Sequence, residues 1–431
     1  MREPRLNVNS DLMGLFLGLS TWRFSIPIPL LDKLPVGSVL MVIVVVRYML
    51  KGLLLKSRPV LPNRIVPGLV VFYGFLLAVV IGIKPPGVDG AGGIGEAFYF
   101  VLFAFAFFAF RSLAKGEIDF GRVLRIGFVL AILGLIINIG MGLLTGTMYV
   151  GLTYHYYSWL VAAIVLSLYV AKYSENRKFK VLLLFTVFLG LAILTPHRDR
   201  PFLALFNFMI ILFEFKRTKL LSYLALWSFL FVLVTSVVGI GYQPLLGTRS
   251  LSPISTVLGM HDFSSGEASE GALGLSDPIR AVLYEYGFRH IKSHPILGEG
   301  FAIPGGLLAK EMQVTQSDPV REVLYALSVS GDYHNGILEL AVKGGLPLAV
   351  LLLWIILVQS AGFFKWGRSL SLCEAKVFAA ALSGYFVQVL GQMLINGGGN
   401  EVALLGGLLG LMSGFMTYWR ATDESAFSRA V

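Results

Sequence analysis

Runs of about 17–25 nearly continuous apolar residues recur along this chain with short polar breaks between them, and no other feature limits its possible folds so tightly. Wound as a helix at 1.5 Å per residue, such a run covers the ~30 Å of hydrocarbon in a bilayer. The runs fall at approximately 10–27, 34–55, 65–83, 96–114, 121–145, 156–174, 179–195, 201–216, 219–240, 346–364, 376–396 and 402–420, about 12 in all. They lack the period-two alternation of barrel strands, so helices are expected. A soluble core could not hide them: 56% of the 431 residues are hydrophobic, 14% are charged, and the mean hydropathy is +0.76. The expected fold class is therefore an all-α polytopic membrane protein. Pro27 and Pro29 break the first run early, which predicts a tilted or partly interfacial element. No small-residue cleavage site follows it, so it reads as a retained span rather than a signal peptide.

The formal charge of +10 and pI near 9.5 could point to nucleic acid. In a membrane chain, excess Lys and Arg is first explained by topology, and no nucleic-acid partner is expected. Arg47, Lys51, Lys56, Arg58 and Arg64 follow the second run; Arg111, Lys115, Arg122 and Arg125 the fourth; Lys172, Arg177, Lys178 and Lys180 the sixth. Lys216, Arg217 and Lys219 follow the eighth, and Lys365, Arg368 and Lys376 the tenth. The alternate connections "KPPGVDGAGGIGE", "TGTMYVGLTYHYY" and "NGGGNE" are nearly free of positive charge. Both termini are thus predicted to be cytoplasmic. The single Cys373 forms no internal disulfide and has no metal-ligand spacing around it.

One hydrophilic segment, Gly241 to Asn335, interrupts the pattern between the ninth and tenth runs. Three regions follow: helices 1–9 in residues 1–240, an extracytoplasmic catalytic loop in 241–344, and helices 10–12 with a cytoplasmic tail in 345–431. A connection that long is functional or disordered. This one carries two helix starts, "DPIRAVLY" from Asp277 and "DPVREVLY" from Asp318, each placing Asp at an N-cap and Pro at the first helical position. Both helices are expected to lie along the outer surface, apolar stripe down.

Two further features of the outer face carry charge. "LTPHRDRPFLALF" sets Arg198, Asp199 and Arg200 at the membrane edge on the side where basic residues are otherwise scarce. The bland reading is a tight turn in which Arg198 and Asp199 pair; the functional reading is a site for a charged ligand. "SGDYHNGILELAVKGGLPLAVLLL" offers Asp332 as N-cap, so that His334 falls in the first turn of a helix running to about Lys343 before Gly344 and Gly345 interrupt it. A helix N-terminus and nearby arginines both disfavour the charged imidazolium, leaving a histidine that can accept a proton. A lone surface histidine is more often inert, but its place beside the membrane favours a role.

"HNGILELAVKGGLPLAVLL" resembles the signature of the O-antigen ligase and O-antigen polymerase superfamily, a His-Asn-x-x-Leu-Glu followed by a glycine-rich helix start. "LTPHRDRPFLAL" is similar to that family's Thr-x-Ser-Arg-Gly segment, with His197 and Asp199 departing from it. "IRAVLYEYGFRHIKSHPILGEG" resembles its Arg, aromatic, His-Pro-x-x-Gly-x-Gly run. The resemblance covers roughly 185–365 and implies a GT-C-like helical membrane enzyme without cofactor or metal. It implies His334 as general base and Arg198 and Arg280 as the pyrophosphate clamp; Arg200, in the same outer segment, is a further pyrophosphate-binding candidate without a family counterpart. Asn335, Glu339 and Tyr333 would orient the histidine or the acceptor sugar. Arg289 has no family counterpart.

The chemistry is coherent on its own terms. Transfer of a glycan from a polyprenyl pyrophosphate needs a stabilised leaving group and a deprotonated acceptor hydroxyl. Guanidinium groups bind phosphate oxygens in bidentate fashion and stay charged beside a membrane. The expected partners are the lipid-linked oligosaccharide donor, a glycan acceptor and membrane lipids, with a chain-length regulator as a further candidate. The residues leave polymerase and ligase open, the polymerase being preferred slightly. A secondary transporter or lipid flippase would share the helix count and the cytoplasmic termini, but should place polar groups at midspan and show related halves.

Overall fold

The computed structural model describes residues 7–20, 22, 36–55, 65–82, 91–114, 118–145, 276–301, 333, 335–370, 374–396 and 399–428. Among these every regular element is an α-helix: α1 (Val8–Leu19), α2 (Val36–Leu55), α3 (Ile65–Gly82), α4 (Ala91–Leu113), α5 (Phe120–Thr145), α6 (Ser276–Ser293), α7 (Gly336–Ser369), α8 (Glu374–Asn396) and α9 (Gly399–Ser428). Eight of them fall on apolar runs read from the sequence. The runs expected at 156–174, 179–195, 201–216 and 219–240 lie outside the described residues, as does the second loop helix from Asp318.

Among the described residues, Gly336–Ser369 and Glu401–Tyr418 are long and apolar enough to cross a membrane. Val8–Leu19, Phe98–Leu113 and Phe378–Leu394 are shorter apolar helices. The first run ends sooner than its hydropathy suggested. Ser20 closes α1 by donating its backbone N–H to Phe16, and the Trp22 indole donates to the Leu130 carbonyl at 2.9 Å. At 12 residues α1 is roughly 18 Å long, well short of the bilayer core.

The helices pack through small residues, as expected where lipid supplies no hydrophobic drive between helices. On α9, Gly406, Gly410 and Gly414 form a stripe laid against α4. A Cβ at Gly406 or Gly410 would stand 2.3 Å from the carbonyl oxygen of Phe103 or Phe107, so only a hydrogen fits. Gly14 and Gly18 of α1 do the same against α5, where added Cβ atoms would meet Ile126 at 2.7 Å and Leu130 at 2.5 Å. The ascending numbers on both sides make α1 parallel to α5, and α9 parallel to α4.

One end of the bundle gathers the starts of α1, α5 and α8 with the ends of α4, α7 and α9. There Phe415 sits 4.9 Å from Phe378 and 5.5 Å from Phe120, and stacks on Trp366 with the ring planes 15° apart. Asp119 caps α5 by accepting from the Arg122 N–H at 2.9 Å, and its own N–H donates to Ser10 at 3.0 Å. The Arg122 guanidinium grips Asp11 with two bonds, of 2.5 and 3.0 Å.

The interior of the bundle is not wholly apolar. Gln359 on α7 and Ser383, Gln388 and Gln392 on α8 are buried within the bundle. Polar side chains of this kind hydrogen-bond between helices, so the sequence's apolar look hides internal polar contacts.

Candidate active site

The helix that follows His334 starts later than the sequence suggested, and Asp332, the cap expected, lies outside the described residues. Asn335 is the cap: with extended backbone, its Oδ1 accepts from the N–H of Ile337 at 3.1 Å and of Leu338 at 3.0 Å. Asparagine suits this better than an aspartate three residues earlier because its short side chain reaches the second and third N–H of the turn it opens. The helix therefore begins two residues after His334 in the sequence. His334 itself, Arg198 and Arg200 lie outside the described residues.

Nine residues on, α7 breaks at Gly345, whose φ of 80° and ψ of 165° are not helical. In an unbroken helix the carbonyls of Val342 and Lys343 would accept from residues 346 and 347. Pro347 has no N–H to give, and the Leu346 N–H turns away to the Pro295 carbonyl at 2.9 Å. Two buried acceptors are left, and each would cost about 1–3 kcal/mol if unmet.

The chain after α6 meets both. Residues 294–300, "HPILGEG", fold back so that the Glu299 N–H donates to Val342 at 2.8 Å and the Gly300 N–H to Lys343 at 2.9 Å. The fit demands glycine on both sides. A Cβ on Gly298 (φ 67°) would lie 2.6 Å from the Gly345 nitrogen and the Lys343 carbonyl, and one on Gly345 would lie 2.1 Å from the Ile296 oxygen. Two of the motifs quoted from the sequence are thus the two halves of one joint.

Side chains hold the joint from both sides. His290 Nδ1 on α6 meets Glu299 Oε1, and the more exposed His294 Nδ1 lies 3.7 Å from the same oxygen. On α7, Glu339 Oε1 accepts from Lys343 Nζ at 2.5 Å, one helical turn along, and Lys343 is 1% exposed. A buried ammonium is tolerated only with such a partner. Tyr333 is fully buried; a Cβ on Gly287 of α6 would come within 3.2 Å of its ring and 3.1 Å of Leu338. Phe301 then seats the loop on α4, its ring 5.2 Å from Phe100.

Of the residues singled out from the sequence, Tyr333, Asn335 and Glu339 come together at the start of α7. Arg280 is carried by α6, two turns before Gly287. Arg289, without a family counterpart, pairs with Glu285 at 2.9 Å and lies 4.8 Å over the Tyr286 ring, exposed to solvent. The sequence reading missed His290, Glu299 and Lys343. The signal was the Gly-x-Gly itself, whose middle residue has its N–H committed and its side chain turned to α6.

Residues 200–353 match the O-antigen ligase family. No curated protein matches the chain. The match begins at Arg200, leaves Arg198 just before it, and takes in Arg280, His334, α6 and the joint. The matched family is one of integral membrane proteins. Within the matched segment, the elements that flank His334 in the sequence are tied to each other: Tyr333 to α6, and the first half of α7 to residues 295–300.

Proposed function

We propose that the protein moves an oligosaccharide from a polyprenyl (undecaprenyl) pyrophosphate donor to an acceptor sugar hydroxyl, with inversion and without a metal, as an O-antigen polymerase. His334 takes the acceptor proton, the new bond forms from that oxygen to the anomeric carbon, and the bond from that carbon to the pyrophosphate breaks. Arg198 and Arg280, with Arg200 nearby, receive the charge of the departing pyrophosphate. Asn335, Glu339 and Tyr333 fix the start of α7 that follows the base. The observation that carries this reading is the coincidence of the family match with the joint that holds α6 against the start of α7.

About 12 spans, a catalytic face on the outer side and cytoplasmic termini complete the proposal. The bundle end that gathers Arg111, Arg122 and Arg368 would be the cytoplasmic one, and the four spans expected between α5 and α6 would return the chain to the outer end. The cell's inner membrane is the proposed location, and a chain-length regulator a proposed partner. The ligase reading, in which the acceptor is a lipid core oligosaccharide or a protein, is favoured by the family description itself.

The test is product analysis with purified protein and a defined lipid-linked repeat. Lengthened chains support the polymerase; transfer only to an added core acceptor supports the ligase; movement of intact donor would reveal a transporter. His334→Ala should abolish transfer by about 10²-fold or more, and normal turnover would remove the proposed base.

A further inference from the structure

The opposite end of the bundle holds a cation that the transfer chemistry does not use. Arg111, in the last turn of α4, is 3% exposed. Its Nη2 makes one long bond, 3.4 Å, to Thr417 on α9, while Nε and Nη1 are buried and have no partner among the described residues. Among the described residues, the groups that bear on it electrostatically are the phenols of Tyr48 on α2 and Tyr418 on α9, neither of which offers a formal negative charge. Arg47, beside Tyr48 in the chain, also has a buried Nη1 without a partner among the described residues.

A guanidinium presents five donors in a rigid fork, and burying it without an anion is among the costliest arrangements a helix bundle can make. Sequences keep such a residue inside a membrane where it binds something. Its level in the bundle narrows the choice. Just beyond Tyr418 the sequence of α9 turns polar at Arg420, Asp423 and Glu424, and on α2 the neighbouring Met49 and Leu50 are exposed as lipid-facing residues would be. The orphaned donors therefore lie where hydrocarbon meets headgroups. Phosphate oxygens match the fork in bidentate fashion, and half-buried phenols can donate to the same group.

We propose that Arg111, with Tyr48, Tyr418 and Arg47, binds the phosphodiester of an anionic phospholipid headgroup at this end of the bundle between α2, α4 and α9. Tyr48 and Tyr418 are the side chains that swing to admit it. The site is independent of the glycan-transfer reading.

Native mass spectrometry of the full-length protein in detergent, after incubation with phosphatidylglycerol or phosphatidylcholine, tests this directly. Wild type should retain phosphatidylglycerol in preference to phosphatidylcholine, and Arg111→Gln should lower that retention about tenfold, a change equal to about 1.4 kcal/mol. Arg125→Gln, an exposed basic residue nearby, should leave it unchanged. Should Arg111→Gln fail to fold, Tyr418→Phe in wild-type background should still weaken retention. Equal retention by wild type and by the folded variants, or no preference in wild type, would overturn the site. Protection against heat by inorganic phosphate as strong as that by phosphatidylglycerol would overturn the lipid assignment.

Discussion

Glycine is used in two opposite ways at two places where this chain packs backbone on backbone. Along the seam between α4 and α9, Gly406, Gly410 and Gly414 keep ordinary helical geometry and contribute only the absence of a side chain. At the joint between residues 294–300 and α7, Gly298 and Gly345 contribute left-handed backbone as well, because the path of the chain requires it. The seam is continuous and repetitive, so its tolerance is set by volume. The joint depends on a few donors and acceptors, so it has one solution.

Substitution separates the two. Gly345→Ala combines the cost of left-handed backbone with a clash against the Ile296 oxygen, and should destabilise by about 3–5 kcal/mol, read as loss of monodisperse protein or a steep fall in Tm. Gly410→Ala at the seam should cost about 1–3 kcal/mol through overpacking, yet leave the turnover of the folded fraction unchanged. Equal effects of the two on turnover per folded molecule would erase the distinction. Glu299→Gln keeps the backbone bonds of the joint and weakens only its tie to His290, so a loss of about 1 kcal/mol is expected, with transfer activity falling more than thermal stability. Arg289→Ala, removing an exposed pair outside the joint, should change stability by less than about 0.5 kcal/mol and transfer not at all. A large effect there would place α6's solvent face in the site.

The described helices other than α6 were readable from the chain because a long apolar run shows itself by length and apolarity alone. The starts and ends of α2, α3 and α5 agree with the apolar runs to within about two residues, and the interruption at Gly344 and Gly345 was visible as a glycine pair before a proline. The early end of α1 was not, since it depends on Trp22 reaching Leu130 more than a hundred residues away. Nor was the cap: Asp332 and Asn335 are both good capping residues, and only the backbone at Asn335 chooses between them. The joint was the hardest to see. Its halves lie more than forty residues apart, and the bonds between them are made by backbone groups that every residue type carries.

The break in α7 also constrains how the protein is made. Val342 and Lys343 lack helical partners for their carbonyls, and a bilayer offers no water to replace them. Residues 295–300 supply the missing donors, and they leave the ribosome before α7 does. The donors of the joint are thus already part of the growing chain when the acceptors of α7 are made.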